Sequence, residues 1–167
     1  MLDRPSSSGF TLIEVVVTLF VLELGLVGFL QMNVYIAQKA RTTYYTSTAG
    51  LILSEFNESI YANRRGLLDG HYDVLDTQFF NTASEDCSDQ ICTPEELSDY
   101  NEWSMLQKVK TQLPWDSDQN LPRVEVSGSG AAGALTVTIR WFDIGAPQNS
   151  VAELEQELRF ITSGVVQ

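Results

Sequence analysis

The sequence predicts an α+β chain in which one long N-terminal helix, first membrane-competent and then amphipathic, packs on a small antiparallel β-sheet head with one extra helix. Three observations predict it. Phe10 to Leu30 is a nearly unbroken run of Leu, Val, Phe and Ile; apolar residues then recur at helical spacing as far as Ile60; and the final third alternates apolar and polar residues in short segments parted by glycine.

The apolar run is interrupted only by Thr11, Glu14, Thr18, Glu23, Gly25 and Gly28. At a rise of about 1.5 Å per residue it crosses a hydrocarbon layer of about 30 Å, so residues 10–32 form the transmembrane half of the helix. A secretory signal would be cut after its apolar core, and no A-x-A-like site follows Met32. Counting Lys and Arg does not orient the span, because Arg4 is opposed by Asp3 while Lys39 and Arg41 flank the other end.

Two carboxylates inside this run need a reason. An acidic side chain at the centre of a membrane helix costs roughly 2.5–3.5 kcal/mol on insertion scales, which makes Glu14 and Glu23 functional residues by default. At about 100° per residue the step from Glu14 to Glu23 is about two and a half turns, so they point to opposite sides and cannot form a paired acid/base site. Glu23 is read either as a second intramembrane contact, with a partner in a neighbouring subunit, or as a residue near the outer interface of a tilted helix.

From residue 33 to 62 the pattern narrows to a stripe: Ile36, Ala40, Ala49, Ile52, Leu53, Phe56 and Ile60. It predicts an amphipathic continuation whose apolar face lies on the head, residues 63–167. Gly66, after Arg64 and Arg65, is the expected stop, with two cations near the negative end of the helix dipole. Gly50 is the expected soft point. Further on, Thr93-Pro94-Glu95-Glu96 reads as an N-cap, a first-turn proline and a capping-box glutamate. The helix it opens should bury Leu97, Tyr100, Trp103, Leu106, Val109 and Leu113 and end at Pro114. Three strands are expected, at Val124–Val126, Leu135–Trp141 and Leu158–Thr162. Ser127–Gly133 and Ile144–Ser150 are the intervening loops.

The residues Gly9-Phe10-Thr11-Leu12-Ile13-Glu14 resemble the processing and assembly motif of type IV pilins. Further segments narrow the likeness to minor pilins of the PilV type: Val21 to Gly28, Ala62 to Gly66 followed by Gly70-His71-Tyr72, Cys92-Thr93-Pro94 leading to Leu97, Tyr100 and Trp103, then Leu113-Pro114, and Thr136 to Trp141. The resemblance implies a lollipop-shaped pilin fold and a leader, residues 1–9, removed by a prepilin peptidase after Gly9. The new N-terminus, Phe10, would be methylated. Glu14 would set axial register by pairing with the terminal amine of a neighbouring subunit. The N-terminus would be cytoplasmic and the head periplasmic, in the inner membrane first and in the pilus (fimbrium) on the cell surface later.

The implied function is that of a minor pilin helping to initiate type IV pilus assembly near the tip. Its partners would be other minor pilins, the major pilin, the peptidase, the inner-membrane assembly machinery and a tip adhesin. A minor pseudopilin of a type II secretion system is the alternative, since it shares the N-terminal machinery. In an oxidising compartment Cys87 and Cys92 are read as a disulfide; two Cys and the distant His71 do not make a four-ligand zinc site.

Composition and motifs argue against other classes. With 22 acidic and 10 basic residues, a net charge of −12, the chain has no footprint for nucleic acid. No cofactor or catalytic residue is expected: G-x-S-x-G, H-E-x-x-H and a phosphate-binding glycine loop are missing, and the single His71 is read as a turn residue. Asp116-x-Asp118-x-Asn120 opens like an EF-hand loop, yet Leu121 stands where that loop needs Gly and Ser127 where it needs a bidentate Glu. No metal is expected there. Lys108 and Lys110 are assigned to a solvated helix face.

Overall fold

A computed structural model describes residues 10–73, 75–76, 86–116, 121–144 and 150–160. The element order is α1 (Leu12–Ala62), α2 (Arg64–Leu68), β1 (Leu75–Asp76), α3 (Pro94–Gln112), β2 (Arg123–Ser129), β3 (Ala134–Phe142) and β4 (Val151–Arg159). The expected α+β architecture is present: a long apolar N-terminal helix, a small antiparallel sheet and a second substantial helix. The chain divides into two compact units at Lys39/Ala40.

In the first unit, α1 is exposed throughout and contains an 18-residue window of mean hydropathy 2.3, none of it buried. It is long and apolar enough to cross a membrane and is compatible with a single-pass anchor. The helix is continuous through Gly50.

In the second unit, Ala49, Ile52, Leu53, Phe56 and Ile60 of α1 are buried, at the i, i+3, i+4, i+7, i+11 spacing of one helix face. Ile36 and Ala40, expected to belong to this stripe, are exposed, and burial begins only around Thr42. They fit the helical period, but period alone does not say where the covering surface begins.

The sheet order is β1-β2-β3-β4, all neighbours antiparallel. β2 runs to Ser129, past the expected Val126, so Ser127–Ser129 of the expected glycine loop are strand. A tight turn closes it, with the Gly133 amide donating to the Gly130 carbonyl at 3.0 Å. Gly130 is required by close approach: a Cβ there would stand 2.5 Å from the Leu67 carbonyl oxygen. β4 starts at Val151, seven residues before the expected Leu158, because Glu153, Glu155 and Glu157 mask its alternation with charge on the exposed face. Ile161 and Thr162 lie outside the described residues, as do residues 145–149 of the loop before β4. The two-residue β1 was not expected; it pairs Leu75 with Val126 and Asp76 with Glu125.

The core is filled by the α1 stripe, Val109 of α3, Val124 of β2, and Leu135, Val137, Ile139 and Trp141 of β3. α3 begins as expected: Thr93 caps it, the Glu96 amide donates to Thr93 Oγ1 at 3.3 Å, and Glu96 Oε2 accepts from the Thr93 amide at 2.7 Å. Its core face is rotated from the expected stripe. Ser98, Met105, Leu106 and Val109 are buried, whereas Leu97, Tyr100 and Trp103 are only half-buried. The aromatic pair instead stacks on itself, ring centroids 5.9 Å apart.

Candidate functional site

Among the described residues, off-pattern chemistry is carried by the apolar half of α1 and by the junction where α1, α2 and α3 meet. In the first, Phe10 is 75% exposed and Glu14 lies in the first turn of α1, its amide donating to the Thr11 carbonyl at 3.0 Å. The uncovered backbone amides of that turn favour a negative charge. Gly9, the expected cleavage residue, lies outside the described residues.

The apolar half of α1 treats its polar side chains in two ways. Thr18 Oγ1 donates to the Val15 carbonyl at 2.8 Å and Asn33 Nδ2 to the Phe29 carbonyl at 2.8 Å, so both are satisfied within the helix. The carboxylate of Glu23, in mid-helix, cannot do the same. An ionised carboxylate only accepts, and mid-helix amides are already committed to the i−4 carbonyls. Among the described residues neither Glu14 nor Glu23 meets a hydrogen-bond or ionic partner, and both side chains are exposed. The continuous helix keeps them on opposite sides.

The junction is a polar node that the sequence analysis missed. α1 ends at Ala62, as expected, but the stop is Asn63 rather than Gly66: Asn63 leaves helical geometry and caps α2, its Oδ1 accepting from the Gly66 amide at 3.2 Å. Asn63 Nδ2 donates to Tyr72 Oη at 3.1 Å and to the Pro94 carbonyl at 2.7 Å. Asn101 Nδ2 of α3 donates to the same phenol oxygen at 2.9 Å. Arg64 and Arg65 therefore open α2 rather than close α1. Gly66 is packed beneath the node: a Cβ there would meet Asn63 Nδ2 at 2.5 Å and the Pro94 carbonyl oxygen at 2.9 Å.

Tyr72 is fully buried, and burial pushes its phenol above the ordinary value despite the two amide donors. One turn along α3 from Ser98, Glu102 is half-buried; its Oε1 is buried and has no hydrogen-bond partner. Burial first, and the nearby Asp99 second, push its carboxyl up to about 8. Asp99 is itself raised, by burial and then by Glu95, with His71 opposing. His71 occupies a turn and is half-buried, as expected. The signal available in the sequence was that Glu102 falls at i+4 from Ser98 and i−4 from Leu106, on the face carrying Met105 and Val109.

Cys87 and Cys92 are joined in a disulfide, Cα atoms 5.8 Å apart, as expected. Lys108, expected to be solvated, pairs with Glu55 of α1 and ties α3 to that helix. Of the EF-hand-like residues, Asp118 and Asn120 lie outside the described residues, while Asp116 and Leu121 exchange backbone hydrogen bonds at 3.1 and 3.0 Å. Among the described residues no group of three His, Cys, Asp or Glu side chains is arranged to hold a metal ion. The exposed sheet face carries a ladder of ion pairs, Arg140 reaching Glu125 at 3.0 Å and Glu153 at 2.6 Å. Comparison with protein-family models, with curated proteins and with solved structures gives no match to this chain.

Proposed function

We propose that the protein is a minor pilin of the PilV type, a membrane-anchored subunit that helps to initiate type IV pilus assembly and takes a place near the tip. In this reading a prepilin peptidase cuts after Gly9, Phe10 becomes the methylated N-terminus, and the globular unit stands in the periplasm before export on the pilus. Glu14 sets axial register by accepting the terminal amine of an adjacent subunit as the helices leave the lipid.

The observation that carries the reading is the placement of Glu14. It is a carboxylate without a partner among the described residues, in the first turn of an apolar helix of 51 residues, directly within the Gly9 to Glu14 motif. A charge so placed is stabilised once a cation from another chain reaches it. The disulfide supports an oxidising compartment for the globular unit.

Deletion of the gene in its own host, with surface pili counted by electron microscopy and type II secretion assayed in the same strain, tests the proposal. Loss of pili with intact secretion, restored by the wild-type gene, is expected. Intact pili with lost secretion would transfer the assignment to a minor pseudopilin.

A further inference from the structure

We infer that Glu23 is a second, separate docking point in the bilayer, and that its occupant is a transmembrane helix presenting a lysine or arginine. The inference rests on the proposed membrane anchoring of α1 but is independent of the Glu14 contact.

The two sides of the helix differ. On the side of Glu14 the successive residues are Thr18, Val21, Gly25 and Gly28, and a Cβ at either glycine would meet nothing within 4 Å. That side admits a neighbour closely. Glu23 points the other way, among Val16, Leu19, Phe20, Val27 and Leu30, each more than half exposed. These bulky side chains hold a neighbouring helix at an ordinary interaxial distance of about 8–10 Å. A long cationic side chain reaches across that gap.

Depth favours the same partner. Glu23 lies about 20 Å along the helix from Phe10, well inside a hydrocarbon layer of about 30 Å. An acidic residue there is accommodated by pairing rather than by hydration. The charge of a cation and that of Glu23 cancel, so the pair enters a helix bundle as a neutral unit. One subunit thus addresses two neighbours at once, on opposite sides and about 13 Å apart in depth.

The test uses the full chain reconstituted in phosphatidylcholine vesicles with designed polyleucine helices bearing a single central lysine, glutamine or no polar residue. Pairing is read by energy transfer, and insertion by protease protection of the same sample. Roughly tenfold tighter pairing with the lysine helix than with the all-leucine helix is expected. That preference should vanish in Glu23→Leu and Glu23→Gln and persist in Glu14→Gln. Equal pairing with all three helices, or a preference that survives Glu23→Gln, overturns the inference while leaving the Glu14 contact untouched. Failure of the chain to insert overturns it together with the membrane reading.

Discussion

Replacing Glu102 by glutamine should stabilise the globular unit at high pH and leave it nearly unchanged at low pH. In the folded chain the Glu102 carboxyl ionises at about 8, against 4.5 for the unconstrained side chain. A folded value above the unfolded one means that the native state retains a proton the unfolded state has released. Stability is therefore fully present below about pH 4.5 and falls as the pH rises towards 8, by up to about 1.4 kcal/mol per pH unit. The accumulated loss is on the order of a few kcal/mol, an appreciable part of the 5–15 kcal/mol or so that holds a typical domain together. Glutamine keeps the shape and carries no charge, so it removes this slope. The measurement is urea unfolding of the full chain in detergent, followed by tryptophan fluorescence, at pH 4.5, 6, 7.5 and 9. Asp99 is raised in the same sense, while Asp86 and Glu96 are lowered by hydrogen bonds from Ser88 and Thr93. These act alike in both proteins and cancel in the difference. If the two stability curves run parallel from pH 4.5 to 9, Glu102 is ionised or hydrated in the native state and the reasoning fails.

Asn63→Ala removes three hydrogen bonds at the helix junction and should cost roughly 2–4 kcal/mol in the same unfolding assay. Gly66→Ala forces a methyl group against Asn63 Nδ2 and the Pro94 carbonyl and should cost about 2 kcal/mol. Combining the two should cost less than the sum of the single changes, since one clash partner is gone. Reducing the Cys87–Cys92 bridge, or replacing both residues by serine, should lower stability by about 2 kcal/mol at most, as expected for so short a ring. Glu14→Ala should leave cleavage at Gly9 intact, judged by the mobility of the processed chain, while reducing incorporation into sheared pili; undiminished incorporation would remove the register role.

Elements whose local chemistry agreed with their surroundings were legible in the sequence. Thr93, Pro94 and Glu96 fixed the start of α3 because capping is settled within one turn. The alternation from Leu135 to Trp141 located β3 because a central strand buries one full face. Legibility failed where a contact with something distant in sequence decided the outcome. β4 was half hidden since its exposed face is glutamate-rich and its apolar face is only partly covered. Gly66 looked like a helix terminator, but its lack of a side chain serves the approach of Asn63 and Pro94, which are brought together only by the fold. The rotation of α3 had the same origin: Tyr100 and Trp103 fit the period as well as Met105 does, and packing chose between them.

Three carboxylates stand where the pattern calls for an apolar or small residue, and the chain resolves them differently. Glu102 is half-buried in a folded domain, with its Oε1 shut off from solvent, and meets the cost of burial by holding its proton. Glu14 and Glu23 lie on a helix face with no neighbour among the described residues to supply a counter-charge or a donor. An off-pattern acid inside a domain can thus be explained by its own fold and read from a pH profile. An off-pattern acid on an outward apolar helix meets no such pocket among the described residues. In the function proposed above its counter-charge comes from another molecule, and the opposite directions of Glu14 and Glu23 then call for two such neighbours rather than one.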